Sequence, residues 1–500
     1  MPRLYQISCS LIGNFPKHVS RFHALAIRGL LLIGVVLFTF TGETAAQKIT
    51  VSDPLSIRND LGYEIIGRFR DRILLFRDRY DNYEVQAFDL QMRASWNHEL
   101  EDLDKRGTKV IGVVAGKNDF SIIYSERKRG RFYLKIHKYD PGARMIDSLT
   151  IKVYSERIFS PPELDLIKSE DRNCIAVFNV AEKDQLEVTC FRIDQMKLLW
   201  DKTAIFESEF IDRNLRGMAL GNTGAFFSIS EYDNRKGKIE SHRLQILRMS
   251  DGGDLIRQVP LPEVLTTDMK VIYDNVNKRL AGAGLWGEKN KERANGTFYF
   301  NTNFDSDTAV VLKKTAFDDQ LISILRRKEV ADDTRGIADA DVSHLILRED
   351  GGLALIVERH YEVQRGTASS SRIMRDSRLI VDYYYDDVFL LGLSTDGTQQ
   401  WQTVLHKKQY SQDDEGVFSS FFLFRQIDQL RFLFNDEIRY ENTCSEYTIS
   451  ALGAFDRNSL INTEKQGLRL RFRDGVQISA NECIIPSEYR GKLRLVTVKY

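Results

Sequence analysis

Nothing in this chain names a reaction. It has no G-x-S-x-G elbow, no H-E-x-x-H pair and no glycine-rich phosphate loop opening a helix. The serine-hydrolase, zinc-protease and nucleotide-binding readings therefore lack their characteristic residues. Its eight histidines are scattered singly, and those in or beside strands, His98, His137, His344, His360 and His406, read as structural groups rather than ligands. No Pro-rich stretch marks a linker, since the whole chain has only 9 prolines. A surplus of one charge is also missing: 71 Lys and Arg balance 71 Asp and Glu, which leaves no electrostatic basis for a nucleic-acid partner. Cysteine spacing matches no zinc pattern, so neither a metal nor another cofactor is expected.

Long apolar runs are scarce as well, and the one present is instructive. Arg21 and Arg28 precede an apolar stretch from Gly29 to Phe40, and Thr44-Ala45-Ala46 offers small residues ahead of Gln47. That is the layout of a cleavable secretory signal over residues 1–46. The run is too short to span a bilayer comfortably, and no later segment is long or apolar enough to do so. The only nearby cysteine, Cys9, lies before the run, which argues against a lipoprotein. A periplasmic or secreted protein without a transmembrane segment is expected. Removing the signal leaves a small net negative charge.

What the chain does have is a repeat. Asp89, Asp140, Asp194, Asp251, Asp305, Asp396 and Asp456 each follow an apolar run, and a new run starts a few residues later. They recur roughly every 50 to 60 residues, with one longer gap between Asp305 and Asp396, so one supersecondary unit is being repeated. In the first copy four short runs rich in β-branched, aromatic and leucine residues, 63–69, 72–76, 84–88 and 93–100, are separated by polar turns. The third copy, 163–167, 174–180, 186–192 and 197–205, has the same layout. The aspartate falls between runs three and four, where a short acidic side chain caps a tight turn.

Four strands per unit make a propeller blade, and the fold class is all-β. Seven complete blades fall at about 63–100, 110–153, 163–205, 216–261, 268–317, 340–406 and 416–464. After them comes a hairpin around Arg490-Gly491 that lacks a fourth strand. An open edge there would leave a row of unpaired N–H and C=O groups. Lys48 to Ser52 can fill it, which gives one domain over 47–500 with eight blades, closed by an N-terminal strand. Seven blades is the alternative if Leu468 to Ile478 supplies no innermost strand.

Cys174 and Cys190 fall on the second and third strands of blade 3. A hairpin symmetric about Glu182 sets them opposite each other, in reach of a cross-strand disulfide, with packing as two small buried residues the alternative. Cys444 and Cys483 read as unpaired. Trp96, Trp200 and Trp401 each follow a repeat aspartate on an outermost strand, where packing between blades explains them without a cofactor.

Loop lengths point to one face. Turns between strands two and three share a face with the blade-to-blade connections, and the long segments belong to this set: 232–239, 286–296, 407–416, and insertions at about 318–339 and 364–382. Long loops on a rigid scaffold commonly carry binding. Asp318 to Glu329 reads as a short amphipathic helix with Phe317, Leu321, Ile324 and Leu325 on one side. In the blade 6 insertion Arg372, Arg375 and Arg378 lead into Asp382-Tyr383-Tyr384-Tyr385-Asp386-Asp387. Strand alternation puts Tyr383 and Tyr385 on one face and Tyr384 on the other. These arginines and tyrosines are the candidate ligand contacts, with ordinary strand packing as the competing account of the tyrosines. No catalytic residue can be named.

Leu347-Arg348-Glu349-Asp350-Gly351-Gly352-Leu353, the tyrosine run into Val388-Phe389-Leu390, Ser394-Thr395-Asp396-Gly397 with Trp401, and Phe432-Leu433-Phe434-Asn435-Asp436 together resemble an uncharacterised family of secreted β-propeller-like proteins of Gram-negative bacteria. The resemblance covers mainly residues 340–440 and implies no activity. A non-enzymatic binding or scaffolding module of the cell envelope is expected, a monomer holding a protein or glycan. The alternative is a glycan-active or other hydrolytic enzyme with carboxylates converging in the central funnel.

Overall fold

Each repeat folds as a four-stranded antiparallel sheet, and eight such blades form the ring. The computed structural model describes residues 47–154, 161–207, 210–288, 290–306, 309–326, 336–366, 379–438, 443–463 and 467–500. Ile49–Lys499 make one compact unit, and of the remainder only Gln47, Lys48 and Tyr500 are described. The expected signal segment, 1–46, therefore lies outside the described residues, as do Arg372, Arg375 and Arg378. No helix among the described residues is long and apolar enough to cross a membrane.

Blade 1 consists of Asp60–Phe69, Arg72–Arg79, Tyr83–Asp89 and Ala94–Glu99. Blades 2 to 7 follow at 108–154, 165–205, 215–260, 265–316, 340–405 and 422–462. Burial changes across each blade in step with its sequence. The first strand lies next to the first strand of the neighbouring blade and is half-buried along the central channel. The second and third strands are almost wholly buried and carry the unbroken apolar runs, as in Ile73–Phe76 and Val388–Leu391. The fourth faces solvent and is mostly exposed, as in Ala94–Glu99. The core is thus a ring of clusters between adjacent blades rather than one centre: Phe69, Phe120 and Tyr139 fill the seam of blades 1 and 2, and Phe227, Phe298 and Phe300 that of blades 4 and 5.

Blade 8 settles the count. Its innermost strand is Val476–Ser479, followed by Glu482–Tyr489 and Lys492–Lys499, and the outermost strand is Lys48–Val51 from the other end of the chain. Ser52 N donates to Leu495 O at 2.9 Å, and Leu495 N donates back to Ser52 Oγ at 2.8 Å. An edge that would otherwise stand open is paired.

Three of the repeat aspartates cap their turns through the side chain. Asp89 Oδ1 accepts the backbone N–H groups of Gln91 and Arg93, each at 2.9 Å. Asp140 does the same for Gly142 and Arg144, and Asp396 for Thr398. The Arg93 N–H holds Asp89, and the Ser394 hydroxyl together with Thr398 holds Asp396, below the usual carboxylate range. The other four depart from the pattern. Asp194 accepts only the adjacent Gln195 N–H at 3.1 Å, and the turn at Asp251 is closed by Ser250, whose carbonyl accepts Gly253 N at 3.1 Å. Asp305 sits in a longer turn and pairs with Arg248 instead, and Asp456 is already inside the outermost strand Phe455–Asn462.

The connections between strands two and three and between blades carry nearly all the extra structure. There lie the helix Asp319–Arg326, the 3-10 turns Lys236–Ser241 and Phe472–Asp474, and a small sheet of Arg293–Ala294 with Ile337–Ala338. On the opposite face the longest turn among the described residues is 303–310. The helix begins after Asp318, whose Oδ1 accepts Leu321 N at 2.6 Å as an N-cap. It buries Leu321, Ile322 and Leu325 with Phe317 in the seam of blades 5 and 6, whereas Ile324 turns outward, one position away from the expected stripe. The blade 6 insertion is less of a loop than its polarity implies. Leu353–Gly366 and Leu379–Leu393 pair as far as Gly366 with Leu379, so the hairpin projects beyond the other blades as regular sheet.

Cys174 and Cys190 are both buried and unbridged. The hairpin turns about a point beyond Glu182, which pairs with Gln185 after an irregularity at Val180. Cys174 consequently faces Arg192, and Cys190 faces Ala176. The two thiols are diagonal neighbours, and a diagonal Cβ separation exceeds the ~4 Å that a disulfide requires. Each points instead at blade 4, Cys174 Sγ toward Asn222 O at 3.3 Å and Cys190 Sγ toward Gly224 O at 3.5 Å. Burial pushes both thiols up, that of Cys190 to about 12. Denaturing the oxidised protein without reductant is therefore expected to give complete alkylation of both, while the native protein reacts slowly. A linked Cys174–Cys190 peptide in a non-reduced digest would overturn this.

Candidate functional site at the decorated mouth

Blade 6 contributes most of the site because its first two strands bring charges to the mouth of the channel. Asp341, near the start of Ala340–Leu347, lies directly opposite Glu358 of Leu353–Gly366. Two carboxylates in that register repel each other unless each has its own cation. Both do. His360 Nδ1 sits 3.0 Å from Asp341 Oδ2, and Lys407 Nζ sits 2.8 Å from Glu358 Oε1. A register shift between Glu358 and His360 re-aims the strand so that the imidazole reaches Asp341.

Beneath them is a buried polar network. The Lys407 side chain is 2 % exposed, and its ammonium also donates to Tyr385 O at 3.1 Å and Gln409 Oε1 at 2.9 Å. Ser420 Oγ donates to Glu358 Oε2 at 2.6 Å. Burial lowers the Lys407 pKa, and Glu358 opposes that shift. Tyr385 forms the floor above this network. Its ring stacks on His360 with centroids 5.2 Å apart, and its hydroxyl accepts from Arg473 Nη2 at 3.1 Å.

The resulting cavity has a volume of about 470 Å³. Lys270 of blade 5, Asp341, His344 and His360 of blade 6, Phe421 and Phe422 at the entry to blade 7, and Arg473 before blade 8 line it. Lys270 is exposed and makes no ion pair among the described residues. His344 is deeply set, and burial, aided by Arg425 and Lys270, pushes it down to about 4, so it is neutral at ordinary pH. Two neighbouring cavities open on the same face. One of about 530 Å³ lies between blades 8 and 1, where Tyr63 OH donates to Glu488 Oε1 at 2.5 Å. The other, of about 440 Å³, lies beside Arg216 and the buried Glu231 of blade 4.

His360 is shifted upward, chiefly by its bond to Asp341 with burial opposing. The folded state therefore gains stability from the imidazolium below the ordinary histidine value of about 6.5, and loses it as pH rises through the elevated one. In NMR titrations Asp341→Asn is expected to bring the His360 midpoint down. An unchanged midpoint would mean that the pair does not exist in solution.

The sequence candidates are thus separated by the fold. Tyr385 lines the cavity. Tyr384 belongs to an aromatic ladder, stacked on Tyr361 with centroids 4.7 Å apart and against Tyr410 of the added strand Gln409–Gln412. Tyr383, half-buried, projects to the same side of the strand as Tyr385 but farther along the hairpin, opposite Glu362 and Ser411. Nearby Asp382 is buried and holds Arg365 and the Tyr410 hydroxyl, which fixes the hairpin's direction. Asp341, Glu358, Lys407 and Arg473 carried no sequence signal. The available clue was positional, since residues at the start of a first strand and the end of a second face the mouth. Among the described residues no group of three or more His, Cys, Asp or Glu side chains is placed to hold a metal ion.

No family model and no curated protein sequence matches the chain. Similar solved structures are distant. Porphyromonas gingivalis dipeptidyl peptidase 4 is 10% identical, with 85% of this chain and 56% of that one covered at a TM-score of 0.43. The β-propeller domain of the Trilobed protease from Pyrococcus furiosus is 9% identical, covering 83% and 99% at 0.37. The polysaccharide lyase Uly1 is 8% identical, covering 78% and 89% at 0.37. This chain spans just over half the length of the dipeptidyl peptidase it resembles. At such identity only the propeller fold is shared.

Proposed function

We propose that the protein is a non-enzymatic binding propeller of the bacterial cell envelope, exported by its N-terminal segment, that works as a monomer and takes a protein or glycan at the decorated mouth. The observation that carries this reading is that both carboxylates of the blade 6 cavity are committed, Asp341 to His360 and Glu358 to Lys407. Cleavage of a glycosidic bond by two carboxyl groups needs one raised and protonated while the other is free to act. The uncommitted groups here are cationic, Lys270 and the Nε and Nη1 of Arg473, whose Nη2 is held by Tyr385 OH and Gly416 O, set beside the rings of Tyr385, Phe421 and Phe422. They suit a ligand that offers an acidic group and an apolar face.

A second reading rests on the His360–Asp341 pair. An imidazolium held at a cavity wall can donate a proton, so a hydrolytic role with His360 as acid is the alternative. Capture from envelope extracts on immobilised protein, compared with Arg473→Glu and Lys270→Glu, distinguishes the two. Binding is expected to fall at least tenfold in both variants, with no turnover of generic glycoside or peptide substrates. Capture that is indifferent to both changes would sink the binding site, and turnover lost in His360→Gln would establish the enzyme.

A further inference from the structure

Trp96, Trp200 and Trp401 occupy one register position of the repeat. Each lies on an outermost strand opposite a small third-strand residue, Ala87, Cys190 or Gly392, where the pairing shifts by one. In two cases the next blade uses the indole. Trp200 is buried and its Nε1 donates to Gly224 O of blade 4 at 3.0 Å. Trp401 is covered by Gly453 of blade 7, where an added Cβ would come within 2.7 Å of the ring. Trp96 differs. Like Trp401 it is half-buried with an N–H that makes no hydrogen bond among the described residues, but it alone of the three opens on a cavity, of about 400 Å³, at the seam of blades 1 and 2. That seam is on the face opposite the decorated mouth, because only first-to-second and third-to-fourth turns line it.

The walls are cationic. Arg70 and Arg72 come from the first turn of blade 1, Lys117 from the first turn of blade 2, and Arg144 from its third turn. Two carboxylates stand against these four, Asp71 and Asp140. Asp140 is already saturated, accepting the Gly142 and Arg144 backbone N–H groups at 2.8 and 3.0 Å and pairing with the Arg144 guanidinium at 3.2 Å. Arg72 holds the Ser95 hydroxyl through one nitrogen. The side chains of Arg70 and Lys117 are exposed and have no hydrogen-bond or ion-pair partner among the described residues.

We propose that this seam is a second binding site, and that its ligand is an acidic saccharide, a pyranose ring bearing a carboxylate. The amphipathic indole offers an apolar face for the C–H side of a sugar and a free N–H for a hydroxyl. The guanidinium and ammonium groups around it match a carboxylate, which Arg can hold bidentately. A neutral sugar would leave the cations unmatched. With a ligand at the mouth as well, the disc would hold two molecules on opposite faces, as a bridge does.

The test uses trigalacturonate as probe, followed by tryptophan fluorescence and calorimetry, with neutral galactotriose as the control. Saturable binding of the uronate is expected, at least tenfold tighter than that of the neutral trisaccharide. Arg70→Glu with Lys117→Glu should weaken it at least tenfold. Trp96→Phe should abolish the fluorescence change and weaken binding a few-fold, while Arg473→Ala at the mouth leaves it unaltered. Because Trp96 also packs against the core of blades 1 and 2, the decisive variants are the two exposed charge reversals. No saturable binding at millimolar trigalacturonate, equal binding of galactotriose, or binding that survives the charge reversals would each overturn the proposal.

Discussion

A chain that starts at Leu55 should melt several degrees below the full one. The missing strand Lys48–Val51 closes blade 8. Its loss would remove ladder bonds and the reciprocal Ser52–Leu495 pair, and would open the edge of the last strand beyond Leu493, where Leu55–Ser56 no longer reaches. At about 1 kcal/mol per hydrogen bond, together with the apolar area uncovered, the expected loss is about 3 to 6 kcal/mol. Spread over a transition entropy of about 1 kcal/mol per kelvin for a domain this size, that is a drop in Tm of about 3 to 6 °C. Association is expected too, since an unpaired edge recruits another. Calorimetry with light scattering reads both effects, and an unchanged melting temperature would remove the closure argument.

Replacing Lys407 by methionine should be as damaging without touching the surface. Glu358 would then stand as a buried charge without its cation, and breaking a buried pair in this way costs about 3 to 5 kcal/mol. Protonation of the unpaired carboxyl relieves that cost, so the variant is expected to be least stable at neutral pH and to regain stability in acid. Adding Glu358→Gln should recover part of the loss. Denaturant melts of the single and double variants at two pH values measure this, and a single variant as stable as the parent would mean that water reaches the pair.

Some of this was legible in the chain and some was not, for identifiable reasons. Strand alternation and turn aspartates are local, so the eight blades and most strand limits followed from short windows of sequence. Asp89, Asp140 and Asp396 cap their turns as such residues do anywhere. The closing strand was also deducible, because an incomplete last blade and a free extended segment near the other end leave one economical pairing. Register was harder. The hairpin turns between Lys183 and Asp184 rather than about Glu182, which sets Cys190 opposite Ala176 instead of Cys174, and no composition signal marks such a shift. The blade 6 insertion looked like a loop because Ser and Thr dominate its middle, yet both flanks continue the hairpin.

The sequence by itself determined the repeat, the four-stranded unit, the closure and the face on which extra chain accumulates, since each depends on periodicity and turn chemistry within a few residues. Only the tertiary structure decided which charges meet. Lys270, Asp341, Glu358, Lys407 and Arg473 come from blades 5 and 6 and from the connections that follow blades 6 and 7. Whether Trp96 is covered as Trp200 is depends on how closely blade 2 approaches blade 1. Such neighbours are set by the angle between successive sheets around the ring, and that angle is a property of the closed assembly of blades rather than of any one segment.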